Sequence, residues 1–237
     1  MTQTLELDQL NAEILPCQKC ARLVAWREQV ARDKRKAYQN QEYWGRPVPG
    51  FGDPQARVFV VGLAPGAHGS NRTGRQFTGD ASGGFFYPAL YRAGFANRPV
   101  SIAREDGLAL TDLYTAPVCR CAPPDNKPST VEMANCQPFL ERELRLIQPK
   151  VIVVLGRIAF ESILRIYSKN STEAGKLHAG VKFGHGAVYH FSDSAVTGNP
   201  FELVCSYHPS QQNTLTGRLT VEMFDAIWQK SRELLER

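Results

Sequence analysis

Short runs of apolar residues alternate along the chain with longer amphipathic stretches. The clearest runs are Val58-Phe59-Val60-Val61 and Val151-Ile152-Val153-Val154-Leu155, with two more over 110–116 and 201–207. They are continuous and rich in β-branched residues, the pattern of strands buried on both faces of a parallel sheet. A shorter run over 188–191 reads, with Phe183-Gly184-His185-Gly186, as a hairpin strand. Between the runs, apolar positions recur at helical spacing. Leu5, Leu7, Leu10, Ile14 and Leu15 predict a helix over 5–15. Residues 85–93 predict another, stopped by Gly94. Ser129 with Glu132 three residues on predicts a capping box, opening a helix that runs to Ile147. Further helices are expected over 158–167 and 219–235. Strand–helix alternation of this kind implies a parallel sheet covered by helices on both sides.

The remaining segments are polar. Residues 21–43 are helical in composition and densely charged, and read as a solvated helix, with contact of its basic side to DNA as the alternative. Residues 43–54 hold many Pro and Gly and read as an irregular connection. Residues 168–180 are expected to form a mobile loop. There is no long linker and no internal repeat. One domain over 1–237 is expected, with 1–50 as a helical segment packed on the body.

The chemistry concentrates where strands end. Val61 runs into Gly62-Leu63-Ala64-Pro65-Gly66 and then a loop of Gly, Ser, Asn, Arg and Thr. In open α/β sheets, ligands bind at the carboxyl ends of the strands. Backbone N–H groups in this loop can approach a ligand closely, and Arg72 and Arg75 suit phosphate. Phe77 adds an aromatic face, so a base or nucleotide is expected there. His68 is a candidate for the same pocket or for a phosphate. Asp80 is read first as structural, with water polarisation or a contact to Arg75 as alternatives. Two further strand-end loops, at 119–128 and 208–213, can converge on the same edge.

Composition narrows the class. Lys and Arg total 28 against 23 Asp and Glu, a net charge of +5 that is compatible with nucleic acid but weak as evidence. There is no run of about 18 apolar residues and no signal-peptide pattern, so a cytoplasmic protein is expected. In that compartment the six cysteines are thiols or metal ligands rather than disulfides. Cys17 and Cys20 form a C-x2-C pair. Cys119, Cys121 and Cys136 follow far along the chain, and Cys205 lies in an apolar strand as a plain buried thiol. Four thiolates accept zinc or a [4Fe–4S] cluster alike.

Gly62-Leu63-Ala64-Pro65-Gly66, the loop through Arg75, Cys121-Ala122-Pro123-Pro124 with Asn126, and His208-Pro209-Ser210 together resemble the uracil-DNA glycosylase superfamily, family 5 in particular. The resemblance spans most of the chain. It implies a three-layer α/β/α sandwich around a central four-stranded parallel sheet, with an N-terminal segment stapled by iron–sulfur. It assigns Cys17, Cys20, Cys121 and Cys136 to a [4Fe–4S] cluster. It implies Asn126 as the residue that orients water and His208 as the donor to the departing base. Gly62, Ala64, Pro65, Gly66, His68, Phe77 and Ala116 would meet the base. By their own polarity Arg72, Arg75, Ser210, Gln211, Asn213 and Arg218 suit the DNA backbone, and Leu215 reads equally as a wedge into the duplex or as a helix-anchoring core residue. Relatives carry a water-activating carboxylate or amide at the positions of Leu63 or Ala64, and an Asn near Ala116 that reads uracil. Apolar residues stand here instead, which implies a broader range including hypoxanthine and xanthine. No lysine stands out as a nucleophile, so a monofunctional enzyme leaving an abasic site is expected. Its partner would be double- or single-stranded DNA with deaminated bases, bound by a monomer. Two other readings are a non-catalytic iron–sulfur protein that binds damaged or single-stranded DNA, and a nucleotide-binding α/β enzyme. The latter lacks both the P-loop and the Rossmann glycine patterns.

Overall fold

The computed structural model describes residues 3–170, 180–192 and 196–236. Helices α1 (Gln3–Ile14) and α2 (Ala21–Asp33) precede a two-residue strand β1 (Phe51–Gly52). Then come β2 (Val58–Gly62), a single helical turn α3 (Ser70–Thr73) and α4 (Ala81–Arg92). β3 (Leu113–Pro117), α5 (Thr130–Ile147), β4 (Val151–Leu155) and α6 (Arg157–Asn170) follow. The chain closes with β5 (Val188–Phe191), β6 (Phe201–Ser206), α7 (Gln211–Leu215) and α8 (Val221–Leu235).

The six strands form one mixed sheet in the order β1-β3-β2-β4-β6-β5. This corrects the expected four-stranded parallel sheet. The inner four strands are parallel, with Val60 opposite Thr115 and Val153, and Val153 opposite Val204. Antiparallel β1 and β5 flank them. A two-residue strand carries too little pattern to be read from sequence, and the irregular connection over 43–54 hides β1.

Alternation along the inner strands sends side chains to two separate cores. Phe59, Val61, Ile152, Val154 and Leu203 face α5 and α6. Val58, Val60, Val151, Val153 and Val204 face α4 and α8, where Trp228 and Phe86 are fully buried. Helices thus cover both faces. α1 packs on α5 through Leu10, Ile14 and Phe139, which ties the N-terminal segment to the body. No helix among the described residues is long and apolar enough to cross a membrane.

Local signals set the helix ends. Ser129 and Glu132 form the expected capping box on α5, each side chain bonding the other's backbone N–H. α2 ends ten residues short of the helix expected to Tyr43. It stops where Lys34 takes φ +50, and a short 3-10 turn (Lys36–Tyr38) follows. That break turns Arg35 and Tyr38 toward the sheet's carboxyl edge. α6 continues through Ser168 to Asn170, and the rest of the expected loop over 168–180 lies outside the described residues from 171 to 179.

Candidate active site

The loops after β2, β3 and β6 meet at the carboxyl edge of the sheet around a cleft of about 840 Å³. β2 delivers Leu63, Ala64, Gly66 and His68 to its wall, the loop after β3 delivers Asn126, and the exit of β6 delivers His208. Phe77, Ser210 and Gln211 also line it.

Phe77 holds its place against steric preference. It adopts φ +51 and stacks on Phe86, with ring centroids 4.3 Å apart. A side chain on Gly62 would come within 3.0 Å of its ring and press it aside by a few tenths of an ångström, so the glycine lets the ring lie close over the strand end. Gly62 itself, Pro65 and Ala116 do not line the cleft. Ala116 points into the α5 side of the core, opposite Val61 in the sheet register. A direct base contact from Ala116 is therefore corrected.

His208 sits 6.1 Å from Phe77, ring to ring. The Asn213 amide donates to its carbonyl at 2.8 Å, fixing the turn. Asn213 thus braces the site from behind. Burial pushes the His208 imidazole from 6.5 down to about 4, so it is neutral at ordinary pH and keeps one N–H to donate. His68 bonds the Tyr43 hydroxyl through Nδ1 at 3.0 Å, and burial with Arg35 and Arg72 lowers its pKa. Asn126 has φ +56 and is exposed in a short 3-10 turn, with Asp125 beside it in the cleft wall.

Asp80 carries more weight than its sequence position implies. It caps α4, accepting from the Gly83 N–H at 2.9 Å. Its other carboxylate oxygen lies over the loop that follows β2. A side chain on Gly69 would collide with that oxygen, so the glycine admits the carboxylate. Burial raises its pKa above the usual carboxylate value, against the backbone bonds and Arg72. A partly desolvated carboxylate in the cleft with Asn126 and His208 has the makings of a general base. It does not hold Arg75.

Arg72 and Arg75 are not free for phosphate, which corrects that expectation. All five N–H donors of Arg75 are occupied, by Asp106, Ser101, Thr78 and the Arg104 carbonyl. Burial opposes ionisation of Asp106, yet Arg75 and three backbone N–H groups hold its carboxyl well below the usual range. Arg72 is buried under Tyr38, at 4.0 Å from the ring, and bonds the carbonyls of His68 and Gly79. Arg218 is exposed over the Tyr207 ring, and Leu215 is 77% exposed on the rim helix α7. Arg35, Tyr38, Gln76 and Gln212 also line the cleft. A densely charged stretch that reads as one solvated helix conceals the first two.

The family model of the uracil DNA glycosylase superfamily matches residues 49–232. The chain belongs to that superfamily. It is 47% identical to the type-5 uracil-DNA glycosylase of Mycobacterium leprae, over 96% of this chain and 95% of that protein. It is 48% identical to the type-5 uracil-DNA glycosylase of Thermus thermophilus, over 92% and 93%. The type-4 uracil-DNA glycosylase of Archaeoglobus fulgidus is more distant, at 30% over 86% and 81%.

Away from the cleft, this superfamily member gathers its N-terminal and central cysteines. Cys17, Cys20, Cys121 and Cys136 line one small cavity between α2, α5 and the loop after β3. Arg27 donates to the Cys121 sulfur at 2.9 Å and Asn135 to the Cys20 sulfur at 3.4 Å. The Cys119 thiol donates to Cys136, which lowers the Cys136 pKa and raises its own. Among the described residues no cluster of three or more His, Cys, Asp or Glu side chains stands ready-formed around a metal position. The donor chemistry nonetheless fits a four-thiolate group: four sulfurs face one cavity, and N–H donors already point at two of them. Cys205 lies apart, fully buried in β6, its thiol pushed up to about 12 by burial.

Proposed function

We propose that this chain is a monofunctional DNA glycosylase that excises uracil and leaves an abasic site. The observation that carries this reading is the meeting of Asp80, Asn126 and His208 in the one cleft that Phe77 also lines. A deaminated base leaves the stack at a cost of a few kcal/mol and enters the cleft against Phe77. The backbone of Ala64 and Gly66 meets its edge. The C1′–N bond then breaks with its electron pair leaving on the base. The neutral His208 imidazole donates its N–H to the base oxygen as charge grows there. Asn126 orients a water below the sugar. Asp80 takes that water's proton as its oxygen adds to C1′, which balances the step.

Hypoxanthine and xanthine belong to the same proposal. With Ala116 turned into the core, no polar side chain from that position tests the base edge, and rejection of other bases weakens. Ser210, Gln211 and Arg218 face the DNA backbone, and Leu215 on the exposed rim serves as the wedge. The non-catalytic reading draws its support from the missing carboxylate at Leu63 and Ala64. Asp80, whose carboxylate lies over the same loop after β2, would supply the carboxylate missing at those positions, which weighs against that reading.

Cys17, Cys20, Cys121 and Cys136 would hold a [4Fe–4S] cluster, whose part is to staple α2 and the N-terminal segment to the body. Such a cluster supplies one-electron chemistry when bound, and no step of glycosidic cleavage draws on it.

The deciding assay incubates the protein with a uracil-containing duplex and then adds alkali. Strand breaks at uracil are expected only after alkali. A protein that leaves both uracil and hypoxanthine uncut is not a glycosylase of this kind. A borohydride-trapped adduct with DNA would sink the monofunctional assignment.

A further inference from the structure

Two arginines beside the cysteine cavity have buried donors without acceptors. Arg27 on α2 is 3% exposed, and Arg120, between Cys119 and Cys121, is 1% exposed. Among the described residues, Nε of Arg27 and both Nε and Nη1 of Arg120 have no hydrogen-bond partner. Burying such donors unmet is costly, and burying a guanidinium without a close anion costs more. Glu143 answers one side of Arg120 by pairing with Nη2. Among the described residues the one carboxylate paired with Arg27 is the exposed Glu28, 3.9 Å away, while its Nη1 donates to the Cys17 carbonyl at 3.3 Å. Toward the cavity, Arg27 already bonds the Cys121 sulfur, and the backbone N–H of Arg120 bonds Cys136. Arg120 lines the cavity together with Lys19.

A set of neutral thiols does not account for this concentration of cations. An anionic group does. Four thiolates around zinc, or around an oxidised [4Fe–4S] core, carry a net charge of about −2 in either case. We infer that Arg27 and Arg120 are built-in counter-charges and hydrogen-bond donors for an anionic metal–thiolate group held by Cys17, Cys20, Cys121 and Cys136. The inference rests on the four-thiolate reading above. It makes Arg27 and Arg120 positioning residues: they hold sulfurs rather than touch DNA. Outer-shell donors of this kind tune how tightly a metal is kept. Arg27 also permits a clean test. Its main-chain carbonyl, not its side chain, receives the Asn71 amide that leads to the cleft loop, at 3.2 Å. Side-chain replacement leaves that link in place.

The test uses the full chain isolated anaerobically with its metal. Iron, zinc and sulfide are counted, and release of the metal to a chromogenic chelator is timed alongside the visible spectrum. Arg27→Gln keeps an amide donor but loses the charge, and should release metal about tenfold faster. Arg27→Lys keeps the charge and should release it near the wild-type rate. A double variant, Arg120→Leu with Glu143→Leu, removes that buried pair together and should also release metal faster. It carries the test by the same criterion if Arg27→Gln does not fold. Wild-type release rates in metal-loaded Arg27→Gln, or in the double variant, overturn this inference alone. A wild-type protein with no bound metal overturns both it and the four-thiolate reading.

Discussion

The sheet carries a hollow at each end, and the two differ in how their charges are satisfied. At the amino ends of the strands, a groove of about 620 Å³ is lined by Arg57, Lys150, His190, Asn199 and Glu202. Arg57 is held bidentate by Asp112, and His190 lies 2.8 Å from Glu202. Asp112 raises the Arg57 pKa, so the pair deepens each partner's ordinary state. At the carboxyl ends, His208 is shifted by burial alone and Asp80 is raised chiefly by burial. Each is moved away from its charged form and toward a state that can exchange or donate a proton. The carboxyl-edge cleft is the larger, about 840 Å³ against 620 Å³, but volume alone does not mark a site of chemistry. Titratable groups held without an opposite charge at contact distance do.

The comparison breaks first at His208. Its replacement by alanine should lower the single-turnover rate of uracil excision by about 10²–10³-fold, the cost of losing one donor to a developing anion. DNA binding should stay near wild type. A variant that loses binding and keeps its rate would move His208 from the chemistry to the interface. Asp80→Asn comes next. Asparagine caps a helix as well as aspartate, so α4 is retained and only the charge goes. A fall of about 10²-fold in rate is expected for a lost general base. An unchanged rate would take Asp80 out of the chemistry and leave water positioning to Asn126 and the neighbouring Asp125.

The pH profile sharpens the same contrast. Burial sets Asp80 above the ordinary carboxylate value, so the acid limb of the rate should lie higher than an exposed carboxylate would place it, and should vanish in Asp80→Asn. His208 contributes no limb near 6.5. Its linkage to stability has a definite sign. Between 6.5 and about 4 the unfolded chain binds a proton at this residue that the folded chain does not. Stability therefore falls as pH drops through that window. His208→Gln should show a shallower fall in thermal midpoint over the same range.

What the sequence makes legible follows from the range over which its signals act. β4 is marked by five consecutive apolar residues, and the capping box of α5 lies within four residues; both stand as read. Arg75 misleads because its partner, Asp106, is 31 residues away and nothing between them announces the pairing. Asp80 is undervalued for the same kind of reason. Its place in the cleft depends on the loop after β2 folding back and on Gly69 having no side chain, a fact of three dimensions. Arg35 and Tyr38 are hidden by composition: charge continues past Asp33, while the helix does not. The cysteine set is nameable only through a resemblance. The unmet donors beside it have no signature in the sequence at all.

The smallest effect should come from the opposite hollow, where the comparison is most exposed to refutation. Arg57→Ala removes a side chain that is about half exposed. Asp112 would keep its bond from the Arg57 backbone N–H and from Arg232 at 3.7 Å. Solvent screens what the pair contributes, and the loss in unfolding free energy should be about 0.5–1 kcal/mol. Urea denaturation reads that as a small shift in midpoint at constant slope. The rate of uracil excision should stay unchanged, since the paired groove lies at the far end of the strands from Asp80 and His208. A marked loss of rate in this variant would show that paired charges at the amino edge also serve the reaction. The contrast between satisfied and unsatisfied groups would then cease to locate the site.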